Sequence, residues 1–178
     1  MSEKDKQGAR VIHALNDYTA WTAFGNDTLN LADNAHGLME SGSLLFDKAN
    51  GSNNKKYAGV YKTIDETDLF RNFSPLDRIV ASFYVSATTN IDYLFLRLGD
   101  DSTNYFEWQW TDTNMDTPAS TWNALSVKVG DAYIGGTGGD ITDIDYMAFG
   151  VMFDAESNEL TGMIFSGFYL ERSVKTTT

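Results

Sequence analysis

The chain has 178 residues, a size at which one domain removes roughly 70% of its unfolded surface from water and needs neither a metal nor a disulfide to fold. Cysteine is absent and histidine occurs only at His13 and His36, which excludes disulfide frameworks, thiolate metal sites and imidazole-rich metal centres. Its 13 basic and 25 acidic residues give a net charge of −12, so nucleic acid and anionic membrane surfaces are poor partners.

The composition along the chain predicts one folded unit between two loose ends. Residues 1–8 predict a flexible N-terminal arm, residues 9–172 a single domain, and residues 173–178 a loose C-terminal tail. We find no fixed repeat and no internal linker in the central part. The start of the chain shows no basic segment followed by an apolar one, which predicts a protein outside the secretory route.

Short segments with an apolar period of two predict about ten strands. Turn-rich stretches such as 50–52 and 112–118 separate them, and residues 66–72 allow a single helical turn. This spacing, without a long amphipathic helix, predicts an all-β fold, an antiparallel jelly-roll β-sandwich. The predicted strands are 10–15, 28–32, 43–47, 57–63, 78–85, 91–98, 104–110, 121–129, 143–153 and 161–171.

The clearest pairing joins segments 91–98 and 104–110. Folding the chain back through the turn at 99–103 sets their apolar sets opposite each other, with Leu96 opposite Trp108. The same register sets Arg97 opposite Glu107 on the other face, and a slip of one residue would move every apolar side chain to the wrong face. The apolar residues are Leu94, Leu96, Leu98, Phe106, Trp108 and Trp110.

Two further faces are predicted from the same alternation. Segment 143–153 has large odd positions from Met147 to Phe153 that suit a core, and the small residues Ala148 and Gly150 in its even set suit a trough on the exposed face. Pairing 78–85 with 91–98 sets Tyr84 opposite Tyr93 on the outside. The tryptophans expected in the core are Trp108, Trp110 and Trp122.

The face opposite the predicted core combines aromatic and polar side chains. Flat rings can stack on the C–H face of a pyranose, and amide or charged groups can bond its hydroxyls. The same strip could instead be covered by a neighbouring subunit or by the chain's own loops, because an exposed aromatic patch marks an interface without naming the partner. The candidate binding residues of this strip are Tyr84, Tyr93, Arg97, Tyr105, Glu107, Gln109 and Tyr146.

We predict no enzyme, because no catalytic constellation is present. Glu107 is the best single carboxylate, but its position opposite Arg97 favours a cross-strand ion pair. His13 lies among apolar residues and predicts a packed or half-exposed strand histidine. Ser43 lacks the second glycine of a nucleophile elbow, and the glycine-rich segment 135–139 lacks the lysine of a phosphate loop.

Four segments in chain order carry a resemblance to a known family. They are Trp21, residues 42–47 (GSLLFD), residues 96–108 (LRLGDDSTNYFEW) and residues 121–125 (TWNAL). The set resembles jelly-roll domains of tailed-bacteriophage structural proteins, which are similar to carbohydrate-binding-module-type β-sandwiches, and covers nearly the whole chain. This resemblance implies a multi-copy or homo-oligomeric virion protein, such as a capsid decoration or tail-fibre accessory, with other virion proteins as partners. It also implies occasional glycan affinity.

The sequence departs from this family pattern at one place. Many jelly-roll carbohydrate modules carry an acidic residue in the last strand that helps to hold a structural calcium ion, whereas the matching segment here is 165–170 (FSGFYL). The acidic clusters at 100–101 and 140–145 are typical of turns that solvate a sheet edge. We therefore predict no metal and no cofactor.

Two functional classes remain. The first is a non-enzymatic bacteriophage virion protein, located in the virion and assembled in the host cytoplasm. The alternative is a glycan-binding module that recognises polysaccharide through the aromatic strip. The missing signal segment favours the first, because modules for extracellular polysaccharide normally travel with a secretion signal and an enzyme.

Overall fold

The computed structural model describes residues 9–13, 15–24, 27–35, 42–50, 56–111 and 120–172. They form twelve strands and two short 3-10 turns, at Tyr18–Ala20 and Val129–Asp131. In this part of the chain no helix is long and apolar enough to cross a membrane. The strands are β1 (Ala9–His13), β2 (Thr22–Ala23), β3 (Thr28–Asn34), β4 (Ser43–Lys48), β5 (Tyr57–Thr67), β6 (Arg78–Val85), β7 (Ile91–Gly99), β8 (Tyr105–Thr111), β9 (Thr121–Lys128), β10 (Tyr133–Gly135), β11 (Asp143–Phe153) and β12 (Leu160–Glu171).

The strands form two antiparallel sheets that pack face to face. Sheet 1 has the order β3-β4-β12-β6-β9, with β1 pairing along the second half of β12. Sheet 2 has the order β10-β8-β7-β11-β5-β2. The predicted antiparallel jelly-roll sandwich is confirmed, and each of the ten predicted strands is present. The two additional strands, β2 and β10, have two and three residues and are too short to show a period of two.

The core is built from the inward side chains of both sheets, as the alternation predicts. Phe149 on β11 lies at its centre, with ring centroids 5.0–6.4 Å from those of its neighbours. Two of these neighbours lie on β12, where a bulge before Gly167 brings residues 165 and 168 to the same face. The four neighbouring rings are Trp21, Phe46, Phe165 and Phe168.

The β7–β8 hairpin has the predicted register. Leu94, Leu96 and Leu98 lie opposite Trp110, Trp108 and Phe106, and Arg97 lies opposite Glu107. All of the apolar members except Phe106 are buried in the core, and Phe106 packs against it. This hairpin fixes which side chains of β7 and β8 face away from the core.

Three predictions are wrong. β6 pairs with β12 and β9 of sheet 1, not with β7, so segment 86–90 crosses between the sheets. Trp122 is only half-buried and lies outside the core, opposite Tyr84 on the outer face of sheet 1. β5 extends to Thr67, and residues 68–73 form consecutive turns in place of a helical turn. The predicted arm 1–8, the tail 173–178 and the stretch 112–118 lie outside the described residues.

Candidate functional site

The outer face of sheet 2 carries six of the seven predicted strip residues. Because Leu94, Leu96 and Leu98 point into the core, the odd residues of β7 point outward. The odd residues of β8 and the even residues of β11 also point outward, because they lie directly opposite the odd residues of β7 in the two pairings. The strip residues on this face are Tyr93, Arg97, Tyr105, Glu107, Gln109 and Tyr146.

Tyr84, the seventh predicted residue, lies on sheet 1. Its ring faces Trp122 at a centroid distance of 6.0 Å on the outer face of that sheet. The correction follows from the wrong pairing of β6 with β7, because the outer faces of the two sheets are on opposite sides of the sandwich. Tyr84 is therefore not part of the strip.

Arg97 is the centre of the face. Its guanidinium carbon lies 4.7 Å from the ring centroid of Phe95 and 4.7 Å from that of Tyr105. Its Nε donates to Glu107 Oε2 at 2.5 Å, and Gln109 Nε2 donates to Glu107 Oε1 at 2.5 Å. No hydrogen bond within the described part of the chain uses the terminal Nη groups of Arg97. The two terminal NH2 groups of Arg97 are thus held in a fixed position between two rings.

The charges on this face are tightly coupled. Burial acts against the charged form of Arg97, but the Glu107 carboxylate more than offsets it, so the pKa of Arg97 lies above its ordinary value. Burial raises the pKa of Tyr146 to about 12, with Arg97 acting in the opposite direction. Burial, and then the charge of Glu107, also raise the pKa of Tyr93. Tyr93 and Tyr146 are therefore neutral hydrogen-bonding groups at physiological pH.

A second group of rings, which the sequence interpretation did not assign to the site, lies at the β5 side of the face. Phe24 follows β2, and its ring centroid lies 5.5 Å from Tyr57, 5.4 Å from Tyr61 and 6.2 Å from Phe95. Tyr61 also lies 6.2 Å from Tyr146, which joins this group to the strip. On β5, Tyr57 and Tyr61 occupy odd positions, whereas the buried Ala58 and Val60 occupy even positions. This alternation is the sequence signal from which the position of the two tyrosine rings on the outer face could have been predicted. Phe24 gives no such signal.

Small residues form the floor between the two groups of rings. Gly59 on β5 lies directly opposite Gly150 on β11, with Ala148 next to them on the same face. A Cβ at Gly150 would lie 2.2 Å from Ala58 O, and one at Gly59 would lie 2.3 Å from Phe149 O, so neither position accepts a side chain. Ala148 and Gly150 lie on the outer face, as predicted, but Ala148 is 0% exposed, so the small residues do not form the open trough that the even positions of β11 predict. The neighbouring rings also cover Phe95 completely, and it is 0% exposed.

The acidic turns next to this face use their carboxylates to hold the loops. Asp101 accepts from the backbone N–H groups of Thr103 and Asn104, and Asp140 accepts from that of Thr142. Asp100 accepts from the backbone N–H of Asp140, which ties the two turns together. Among the described residues no group of three or more histidine or acidic side chains is placed to hold a metal ion.

His13 lies away from this face, at an edge of the sandwich between β1 and β5. Its Nε2 lies 3.2 Å from Lys62 Nζ, and its Nδ1 lies 3.6 Å from Glu66 Oε1. Its ring meets that of Trp21 edge-on at 5.9 Å. The side chain is thus packed between two strands, as predicted. Burial and the charge of Lys62 lower the pKa of His13 against the opposing effect of Glu66.

We expect this histidine to make the stability pH-dependent. Its folded-state pKa lies below 6.5, so its contribution to the free energy of unfolding is complete above that value and is lost as the pH falls below it. Between about pH 7.5 and 5.5, urea unfolding followed by circular dichroism should show a larger loss for wild type than for His13→Gln. Equal losses in the two proteins would contradict this role for His13.

The chain resembles solved structures of β-sandwich modules. The family 11 carbohydrate-binding module from Clostridium thermocellum, solved with a β-1,3-1,4-mixed-linked tetrasaccharide, aligns with a TM-score of 0.61 at 12% identity, over 93% of this chain and 96% of that chain. The family 30 module of a cellulosomal cellulase of Clostridium thermocellum aligns with a TM-score of 0.61 at 7% identity, over 94% and 99%. No family model and no curated protein matches the chain.

At these identities the likeness shows the fold alone. An exo-β-agarase structure aligns similarly, with a TM-score of 0.58 at 10% identity, over 90% of this chain and 25% of that chain. The expected similarity to carbohydrate-binding-module sandwiches is confirmed at the level of the fold. The bacteriophage part of the expectation finds no support in these comparisons.

Proposed function

We propose that this protein is a non-catalytic module that binds a carbohydrate through the outer face of sheet 2. The observation that carries the proposal is the position of Arg97, whose guanidinium is held between Phe95 and Tyr105 with both Nη groups free to donate. A fixed donor between rings can bond sugar hydroxyls while neighbouring rings contact the apolar face of the sugar.

The tyrosines around Arg97 supply the rest of such a site. Tyr61 and Tyr133 are exposed, and Tyr93 and Tyr105 are half-buried. In the described part of the chain no hydrogen bond uses the hydroxyl of Tyr61, Tyr93 or Tyr105. Because Tyr61, Ala148, Arg97, Glu107 and Tyr133 stand side by side in one row across five strands, the row spans about 19 Å at the usual strand spacing. That length suits an extended chain of several sugar units.

The compared structures support the same function. The family 11 module was solved with a bound tetrasaccharide, and the family 30 module is also described as carbohydrate-binding. The fold of this chain matches both over almost their full length. We therefore propose that this protein also binds a carbohydrate, without proposing that it binds the same sugar.

Hydrolysis is not part of the proposal. A glycosidase needs a carboxylic acid that can give a proton to the substrate and a second carboxylate across the scissile bond. The two oxygens of Glu107 already accept hydrogen bonds from Arg97 and Gln109, and the residue is 6% exposed. This carboxylate serves to orient Arg97.

Affinity electrophoresis through gels containing soluble polysaccharides tests the proposal. We expect at least one polysaccharide to retard the wild-type protein, and Tyr61→Ala or Tyr105→Ala to weaken its retention at least about tenfold, as for an aromatic anchor in a binding surface. Tyr84→Ala is the matched control, because that ring lies on the opposite face of the sandwich, and its retention should equal wild type. Equal weakening by Tyr84→Ala would place the binding surface elsewhere.

Attachment to other virion proteins, with assembly in the host cytoplasm, is the second candidate. The observation that favours it is an apolar row across the outer face of sheet 1, which suits a contact between proteins. If the protein still cosediments with viral particles in about 1 M salt, this candidate is favoured. Salt at that concentration screens charges beyond about 3 Å, so a contact that persists is apolar and not purely electrostatic. The row consists of Ala32, Leu45, Ile164, Tyr84 and Trp122.

A further inference from the structure

The outer face of sheet 2 has no excess of positive charge. Lysine and arginine occur in the strands of this sheet only as Lys62 and Arg97. Lys62 lies at the edge of the sandwich, with its Nζ 3.2 Å from His13 Nε2 and 5.8 Å from the ring centroid of Trp21. Arg97 is therefore the one cation that these strands place on the outer face, and Glu107 offsets its charge through the hydrogen bond of 2.5 Å.

Acidic side chains gather at one end of this face, where β5, β7 and β11 meet their turns. They lie close enough to influence one another, because loss of hydration and then the charges of four neighbouring carboxylates raise the pKa of Asp143. Asp143 is exposed, and its charged neighbours make this end of the face strongly negative. The carboxylates are those of Asp65, Asp100, Asp140, Asp143 and Asp145.

This negative end is within electrostatic reach of the row that runs through Ala148 and Arg97. Asp100 lies three residues beyond Arg97, and Asp145 lies three residues before Ala148, so each is about 10 Å from the row at the rise of a β-strand. The Debye length is about 10 Å in 0.1 M salt and about 30 Å in 0.01 M salt. Charged groups on a ligand in the row would therefore be repelled by these carboxylates.

The opposite end of the face does not reverse this balance. The exposed Lys56 precedes β5 there, and the exposed Asp92 and Asp154 lie at the adjoining ends of β7 and β11. Phe153 N donates to Lys56 O at 2.7 Å, which places Lys56 beside Asp154. Among the described residues a polyanion thus meets no surplus of cations at either end of the face.

We propose that the ligand of this face is an uncharged polysaccharide, an assignment that rests on the proposed function and narrows it. Sugar hydroxyls can accept hydrogen bonds from the Arg97 guanidinium without bringing a charge to the face. The carboxylate of a uronic acid at the same guanidinium would lie next to the carboxylate of Glu107, and bringing like charges together is costly. The net charge of −12 adds repulsion of any polyanion at longer range.

Polysaccharides that share a backbone and differ in charge provide the test. Suitable pairs are hydroxyethyl cellulose with carboxymethyl cellulose, methyl-esterified pectin with polygalacturonate, and dextran with dextran sulfate. Each polysaccharide is coupled to beads, and depletion of the wild-type protein from a solution in about 10 mM salt gives its Kd. We expect the neutral member of at least one pair to bind, and the charged member of that pair to bind at least about tenfold more weakly.

The possible outcomes distinguish this assignment from the proposed function. A charged member that binds as tightly as its neutral partner, or more tightly, would overturn the assignment and leave carbohydrate binding in place. Absence of binding to every polysaccharide of the set would contradict the proposed function, and the assignment with it.

Two double variants show whether the acidic end causes the discrimination. Asp143→Asn with Asp145→Asn removes two exposed carboxylates from that end and should tighten binding of the charged polysaccharide at least about threefold in about 10 mM salt. Glu159→Gln with Glu171→Gln is the matched control, because it removes the same charge at the two ends of β12 in sheet 1, and its Kd should equal that of wild type. No gain in the first variant, or an equal gain in the control, would overturn the proposal, because the charge of this face would then not select the ligand.

Discussion

Replacing Trp108 by alanine should lower the free energy of unfolding by about 3–5 kcal/mol. The ring is 1% exposed and stacks on Phe70 at a centroid distance of 5.5 Å. Its Nε1 donates to Val129 O at 2.9 Å, so the substitution leaves both a cavity and a carbonyl without its partner. Val129 lies in the connection from β9 of sheet 1 to β10 of sheet 2, where the loss also weakens the contact between the sheets.

Tyr105→Ala is the control within the same strand. Tyr105 faces away from the core and is half-buried, so its removal should cost clearly less stability than that of Trp108. Equilibrium urea unfolding followed by circular dichroism measures both. Equal losses for the two variants would show that the faces of β8 are assigned the wrong way round.

The β7–β8 hairpin could be predicted in full because two independent patterns agree on one register. Six apolar side chains must face the core, and Arg97 meets Glu107 only if they do. A slip of one residue conflicts with both patterns, whereas a slip of two keeps the apolar side chains on the core face but separates Arg97 from Glu107. The fold class follows from the same alternation repeated in the other strands.

The sheet to which a strand belongs could not be predicted in the same way. In a sandwich the core-facing residues of both sheets are apolar at every second position, so the alternation in β6 identifies its buried face but not its neighbours. A short connection at 86–90 suggested a hairpin, whereas the chain crosses from sheet 1 to sheet 2 there. The wrong position of Tyr84 in the site follows directly from this ambiguity.

The positions of two aromatic residues, Trp122 and Phe24, could not be predicted for a related reason. Trp122 is the largest apolar side chain of β9, yet it shares its face with Ala124, Ser126 and Lys128, while Leu125 and Val127 pack against the core. Phe24 was missed because it follows a strand of two residues, and its contacts with Tyr57 and Tyr61 come from the pairing of β2 with β5. Both positions depend on tertiary packing that a local pattern does not contain.

Removing one partner of the Arg97–Glu107 ion pair should also lower the free energy of unfolding strongly. Arg97→Met leaves the carboxylate of Glu107, 6% exposed, without its cation and should cost about 3–5 kcal/mol of stability. Glu107→Leu should cost less, because the guanidinium keeps its contacts with Phe95 and Tyr105 and is the more exposed partner. Urea unfolding of the two single variants measures this asymmetry.

The double variant Arg97→Met with Glu107→Leu separates stability from binding. Replacing both partners of a buried ion pair by apolar side chains of similar size is often neutral, so the double variant should unfold within about 2 kcal/mol of wild type. It should nevertheless lose its retention in polysaccharide gels, because the Nη donors are gone while the surrounding tyrosines remain. Retention at the wild-type level in a folded double variant would show that Arg97 supports the sheet and does not bind the sugar. A double variant as unstable as Arg97→Met would instead show that stacking on Phe95 and Tyr105, and not the charge pair, stabilises this face.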